Sequence, residues 1–168
     1  MLVLGIDPGY AIVGWGVIDY SHGRLSPVAF GAITTEAGSY FPDRLLKISR
    51  KSAEIISKYR PQAVSVEKLF FASNTTTAID VAQARGVILT EAARQGIDVF
   101  EYTPMQVKQA VVGYGLAEKK QVMEMTRQLL SLEKVPRPDD TADALAVAIC
   151  HAHSAHSQSY ALLQQLRG

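Results

Sequence analysis

The sequence predicts an α/β domain on a mixed five-stranded sheet, with three antiparallel strands followed by parallel strands and helices on its faces. Three observations predict it. Three short apolar, β-rich runs fill the stretch up to Thr35, the apolar period becomes helical from about Pro42, and two further short apolar runs then alternate with helical segments.

Leu2 to Ile6 is apolar and ends at Asp7, and Gly14 to Ile18 is a second run; the turn residues of PGYAIVG between them predict a β-hairpin. Val28 to Ile33, with Phe30 inside it and Thr34 and Thr35 after it, extends the hairpin to a meander. From about Pro42, residues Leu45, Leu46, Ile48, Ala53, Ile55, Ile56 and Tyr59 recur at helical spacing until Arg60-Pro61 stops them. Ala63 to Val66, ending in Glu67, follows a helix and predicts a parallel central strand. Asn74 or a neighbouring threonine caps a helix over Thr77 to Gln95, which Gly96 ends. Ile97 to Tyr102 is a further strand, and Pro104 to Val112, Glu118 to Leu130 and Asp139 to His153 are helices. Strands first antiparallel and then alternating with helices match the ribonuclease H architecture.

With 168 residues the chain fits one domain, taken here as residues 1–155, and the small, polar start of HSAHSQSYALLQQLRG leaves 156–168 as a C-terminal tail expected to be loosely held. Apolar residues at 48% and charged residues at 20% exclude general disorder. No apolar run approaches the roughly 20 residues of a membrane span, and no basic segment precedes the first apolar run, so a cytoplasmic protein is expected. Cys150 between apolar neighbours reads as a packed thiol. A net charge of +1 does not advertise nucleic-acid binding, yet Lys108, Lys119, Lys120, Arg127, Lys134 and Arg137 outnumber Glu118, Glu124 and Glu133 over one stretch.

Four acids resist a purely structural explanation to different degrees. Asp7 stands at a strand end before Pro8-Gly9, where an aspartate also caps turns. Glu67 terminates a run that suits a buried strand, and buried glutamate is rare unless paired or metal-bound. Within DDTADALAVAI, acids three apart share one helical face and repel; the helix dipole accounts for Asp139 or Asp140 but less well for Asp143. Cations among such carboxylates would relieve the repulsion, and ligands that are all oxygen favour Mg²⁺ or Mn²⁺. A pair of such ions suits hydrolysis of a phosphodiester, leaving a 5′ phosphate and a 3′ hydroxyl.

GIDPG with Gly14 and Gly16, then VEKLFFASN, QARGV, PMQVKQAVVGYG, AEKKQV and DDTADALAVAICHAH, in this order over residues 2 to 153, resemble the RuvC family of Holliday junction resolvases. The resemblance implies a Mg²⁺-dependent endodeoxyribonuclease of recombination and repair that resolves four-way DNA junctions by paired symmetric nicks. It implies two Mg²⁺ ions per active site, with Mn²⁺ as a substitute, held by Asp7, Glu67, Asp140 and Asp143. Counting back three from Asp143 in the TADALA segment selects Asp140 over Asp139. It further implies that Phe70 stacks on unpaired bases with Phe71 as its rival, that Lys108 in QVKQ and Lys119 with Lys120 in AEKK contact the DNA backbone, and that Arg85 in QARGV touches phosphate or structures a subunit contact. A homodimer and the RuvA and RuvB branch-migration proteins are the implied partners.

His151, His153 and His156 read as a solvated helix end rather than a metal tract, and Met105, Met123 and Met125 as core filler. An actin-like ATPase would share the GIDPG strand and turn, but the chain is short for it and offers DDTADALA where a second phosphate loop is needed. A ribonuclease H acting on hybrids shares the acids, and the VEKLFF and QVKQ segments favour junction DNA.

Overall fold

A computed structural model describes residues 1–69 and 75–165, with side chains for 1–69 and 77–155. Phe70, Phe71 and Asn74 therefore lie outside the described residues. The elements run β1 (Leu2–Asp7), β2 (Ile12–Ser21), β3 (Arg24–Thr34), α1 (Phe41–Tyr59), β4 (Ala63–Glu67), α2 (Thr75–Arg94), β5 (Val99–Tyr102), α3 (Pro104–Val112), α4 (Lys119–Leu129) and α5 (Asp139–Gln165). They build one five-stranded sheet of order β3-β2-β1-β4-β5, antiparallel across β3-β2-β1 and parallel across β1-β4-β5. The predicted mixed sheet and its flanking helices are present.

Strands β2 and β3 are longer than their apolar runs because the pairing continues to a two-residue turn. His22 and Gly23 stand there at φ 51° and 75°, the double positive φ that matches the twist of a tight hairpin. Pro27 is tolerated in β3 because β3 is an edge strand and Pro27 pairs with Ile18 where the register shifts. Strand β5 starts two residues later than the apolar run: Gly96 turns left-handed at φ 71° and the Ile97 amide donates back to the Ala92 carbonyl, so these two residues end α2 instead.

Period-two alternation divides the strands between two cores. Leu4, Ile6, Val13, Val17, Val64 and Val66 face α1 and α2, where they meet Ile48, Ile56, Ala84, Ile88 and Ala92. Val3 and Ile18 face the other way, onto Leu145, Ala148 and Ile149 of α5, with Val107, Val111 and Val122 of α3 and α4 packed alongside. Helix α5 can lie this close because glycines line its bed. A Cβ at Gly5 would meet the Ala144 carbonyl oxygen at 2.0 Å, and one at Gly16 would meet Leu145 Cδ2 at 2.5 Å.

Two expectations fail on α5. The helix does not end at His153 but runs to Gln165 through most of the segment expected to be a loose tail; that segment holds no proline, and no glycine before Gly168, to stop it. His151 is not solvated but 4% exposed, with its ring 4.4 Å from the Phe100 ring and Nδ1 2.8 Å from the Tyr102 hydroxyl. The ring fills space between α5 and β5, and the tyrosine satisfies the polar atom that burial would otherwise orphan. His153 is half-buried with Nδ1 3.1 Å from the Ala110 carbonyl oxygen. Met123 is buried as expected, whereas Met105 is exposed. Cys150 is buried, and burial pushes its thiol up to about 12.

Candidate active site

The alternation that splits the cores also aims the acids. Asp7 closes β1 on the same face as Val3 and Gly5, and Glu67 closes the adjacent parallel strand β4 on the face opposite Val64 and Val66. Both side chains therefore leave the sheet at its carboxyl edge on the α5 side. In the β1–β2 register Asp7 lies opposite Gly14. The start of α5 rests directly on that glycine: a Cβ there would fall 1.9 Å from the Asp140 carbonyl oxygen. The Thr141 hydroxyl donates to the Gly31 carbonyl at 3.1 Å and ties the same helical turn to β3. One turn further along, Asp143 shares the face of Asp140.

The resulting electrostatics are those of crowded carboxylates. Burial first, then the charges of Asp143, Glu67 and Asp140, push Asp7 up to about 7. Burial and Asp143 raise Glu67, against Lys119 and Lys108. Burial raises Asp143 as well, opposed by its hydrogen bond from Lys119. Lys119, at the first position of α4, places Nζ 2.8 Å from Asp143 Oδ2 and 3.9 Å from Asp139 Oδ2, and its own pKa is raised by that hydrogen bond. Glu67, Lys108, Lys119 and Asp143, with Pro104, Val107, Val122 and Ala146, line a cleft of about 200 Å³.

The structure thus brings Asp7, Glu67, Asp140, Asp143, Lys108 and Lys119 together. Lys120 is exposed beside Lys119, at the first turn of α4. Arg85 is placed elsewhere: it is held by an ion pair to Glu101, which alternates with Phe100 and Tyr102 and so faces the α2 side of the sheet. Phe70 lies outside the described residues. The sequence offers Asp139 only as the register rival of Asp140, and in the structure it pairs with Arg137 and lies 3.9 Å from the Lys119 ammonium, whose hydrogen bond goes to Asp143. The signal for Asp139 was present in the doubled acid after Arg137-Pro138.

Among the described residues no group of three or more His, Cys, Asp or Glu side chains is drawn close enough to hold a metal ion as they stand, and the Lys119 and Lys108 ammonium groups bring positive charge to the acids. The donor set nevertheless fits a hard divalent cation. It is all carboxylate oxygen, it comes from three backbone elements fixed by the core, and Asp7 carries a raised pKa that a nearby cation would lower.

A family model described as "Crossover junction endodeoxyribonuclease RuvC" matches residues 3–151. The chain is 55% identical over 159 residues to the crossover junction endodeoxyribonuclease RuvC of Alkaliphilus metalliredigens, covering 95% of this chain and 97% of that one. The structure of RuvC from Thermus thermophilus in complex with a Holliday junction substrate superposes with a TM-score of 0.89 at 37% identity, covering 94% and 96% of the two chains. The yeast mitochondrial resolvase Ydc2, at 13% identity and a TM-score of 0.62 over 89% and 78%, shares the fold.

Proposed function

The chain belongs to the RuvC family of crossover junction endodeoxyribonucleases, and from that premise we propose that it resolves four-way DNA junctions by paired symmetric nicks at the Asp7, Glu67, Asp140 and Asp143 cluster. Its ribonuclease H-like sheet is that of the family, and one relative's structure holds a Holliday junction. The observation that supports this site is the gathering of acids at Asp7, whose carboxyl is buried beside Asp143, Glu67 and Asp140, so that burial first and their charges next push its pKa up to about 7.

In the proposed mechanism Asp7, Glu67, Asp140 and Asp143 would hold two Mg²⁺ ions, for which Mn²⁺ would substitute. Such ions would supply acidity for the attacking water and charge neutralisation for the departing 3′ oxygen, the chemistry that gives 5′-phosphate and 3′-hydroxyl ends. The chain's own part is positioning. Asp7 and Glu67 ride on adjacent strands and Asp140 with Asp143 on α5, so their spacing follows the packing of helix on sheet. Lys108 and Lys119, at the cleft wall, present ammonium groups to non-bridging phosphate oxygens, and Lys120 extends that charge along the backbone. Phe70 is proposed to stack on an unpaired base at the junction centre. For Arg85 the ion pair to Glu101 favours a structural role, with a subunit contact the alternative to a phosphate contact.

A two-fold homodimer gives each of two opposed strands its own active site, as symmetric cleavage requires. Residues 1–155 are proposed as the nuclease domain, acting in the cytoplasm with the RuvA and RuvB branch-migration proteins. The deciding experiment offers the protein with Mg²⁺ a synthetic four-way junction and the matching linear duplex. Symmetric nicks confined to the junction are expected; equal cutting of both substrates would overturn junction selectivity, and no cutting of either would overturn the nuclease reading.

A further inference from the structure

Leu116 is 86% exposed, the most exposed large apolar side chain among the described residues, and Tyr114 beside it is 46% exposed. Both stand in the short connection between α3 and α4, whose flanking helices carry Lys108 and Lys119. Single exposed leucines are ordinary on a protein surface; what singles this one out is that a pinned connection holds it three residues ahead of Lys119.

The connection holds it out by construction. Gly113 ends α3 in the left-handed region at φ 97°, with its amide on the Gln109 carbonyl at 3.0 Å and its own carbonyl accepting from Gln109 Nε2 at 2.7 Å. Gly115 lies against Met105, where a Cβ would meet Cγ at 2.6 Å. Gln121 Oε1 accepts from both the Tyr114 hydroxyl at 2.9 Å and the Glu118 amide at 2.8 Å. Ala117, the residue after Leu116, is 1% exposed. Leu116 is thus the outward member of a connection pinned on both sides of it.

Its position relative to the cleft is bounded by chain geometry. Leu116 precedes Lys119 by three residues, so their Cα atoms are within roughly 11 Å. A DNA strand rises about 3.4 Å per nucleotide, so a strand that has a phosphate at Lys119 and runs toward Leu116 would reach it within about three nucleotides. The charge around it, from Lys108, Lys119 and Lys120 with Glu118 opposing, suits an anionic occupant over a neutral one, and within the proposed nuclease that occupant is the DNA strand held at the cleft.

We propose that Leu116 is a DNA wedge: it packs against sugars and base edges of the cleaved strand within about three nucleotides of the scissile phosphate and sets where that strand sits over the carboxylates. The proposal rests on the nuclease reading above. Leucine has no hydrogen-bonding group with which to read a base, so its contribution is to favour steps that open easily, which is selection by deformability.

The test uses the full chain and four-way junctions carrying 2-aminopurine singly at positions up to four nucleotides either side of the cut. Binding in the absence of divalent ions is read by fluorescence, and single-turnover cleavage is read with Mg²⁺. The wild type is expected to brighten one position as its neighbour unstacks. Leu116→Ala is expected to lose that signal and to cleave about tenfold more slowly, with junction affinity changed much less, and Leu116→Met to restore both. An unchanged fluorescence pattern in Leu116→Ala overturns the wedge, as it would if the side chain served a protein partner instead. Because the fluorescence arm needs no cleavage, a wild type that binds but does not cut would defeat the nuclease reading while still deciding the wedge. Leu116 is solvent-exposed, so its variants should fold; circular dichroism confirms this.

Discussion

Gly14 and Asp140 touch backbone to backbone: a single added carbon at Gly14 would fall 1.9 Å from the Asp140 carbonyl oxygen and 2.9 Å from the Thr141 nitrogen. Since Gly14 is also the register partner of Asp7, one glycine sets the separation between an acid on the sheet and an acid on the helix.

Gly14→Ala should therefore damage stability and the site together. No flexible side chain can yield, so the helix must lift, at a cost of about 3 kcal/mol or more. Calorimetry should show the midpoint falling by roughly 6–12 °C. Gly86→Ala is the control: Gly86 lies in α2 with open space around its would-be Cβ, and alanine there should stabilise by about 0.5–1 kcal/mol. Equal effects of the two substitutions would contradict the close-packing account.

Asp7→Asn should abolish cleavage while leaving junction binding intact, since it keeps the shape of the side chain and removes its charge. Gel-shift and nicking assays on one preparation check this. Undiminished nicking would remove Asp7 from the mechanism.

The same variant carries a pH signature. Folding raises the Asp7 pKa from 3.8 to about 7, so the folded state holds the proton more tightly. Its favourable contribution is complete below about pH 4 and disappears as pH rises through about 7. Without divalent ions, Asp7→Asn should match the wild type near pH 4 and exceed it by on the order of a few kcal/mol at pH 8. Urea midpoints at the two pH values decide; a difference independent of pH would refute the burial of Asp7 among other acids.

Mg²⁺ should stabilise the wild type at pH 8, by about 2.7 kcal/mol at a hundredfold excess over its dissociation constant. Asp7→Asn should lose most of that gain. A chelator should reverse the wild-type shift in the same melting experiment.

Lys108→Ala and Lys120→Ala should each weaken junction binding and lower the slope of log affinity against log salt by about 0.9, the signature of one lost phosphate contact. Arg85→Ala is expected to leave that slope alone and lower the melting temperature instead, because Arg85 is engaged with Glu101. A salt slope that fell for Arg85→Ala would return it to the DNA-contacting set.

Much of this was legible along the chain because two rules of periodicity suffice. An acid closing an apolar strand, as Asp7 and Glu67 do, must leave the sheet at an edge, and acids three apart at a helix start, as Asp140 and Asp143 are, must share a face. What was hidden depends on partners distant in sequence. Nothing local to His151 says that Tyr102 waits for it, so its burial could not be read from HAHSAH. Gly5, Gly14 and Gly16 look like strand punctuation until α5 is laid across them, with Ala144 and Ala148 on Gly5, Asp140 and Thr141 on Gly14, and Leu145 on Gly16. Asp139 loses to Asp140 in register, yet its charge 3.9 Å from Lys119 adds to the hydrogen bond that Lys119 gives Asp143, a contribution visible only once α4 is folded against α5.

Helix α5 packs against all five strands and is buried without interruption from Ala144 to Ala152. Its backbone amides there should be among the slowest in the protein to trade hydrogen for deuterium, released only when the whole domain opens. Asp140 and Asp143 ride on the half-buried N-terminal end of that slow-exchanging rod, on either side of buried Thr141 and Ala142, so local fraying of the sheet should leave the two helical acids in place.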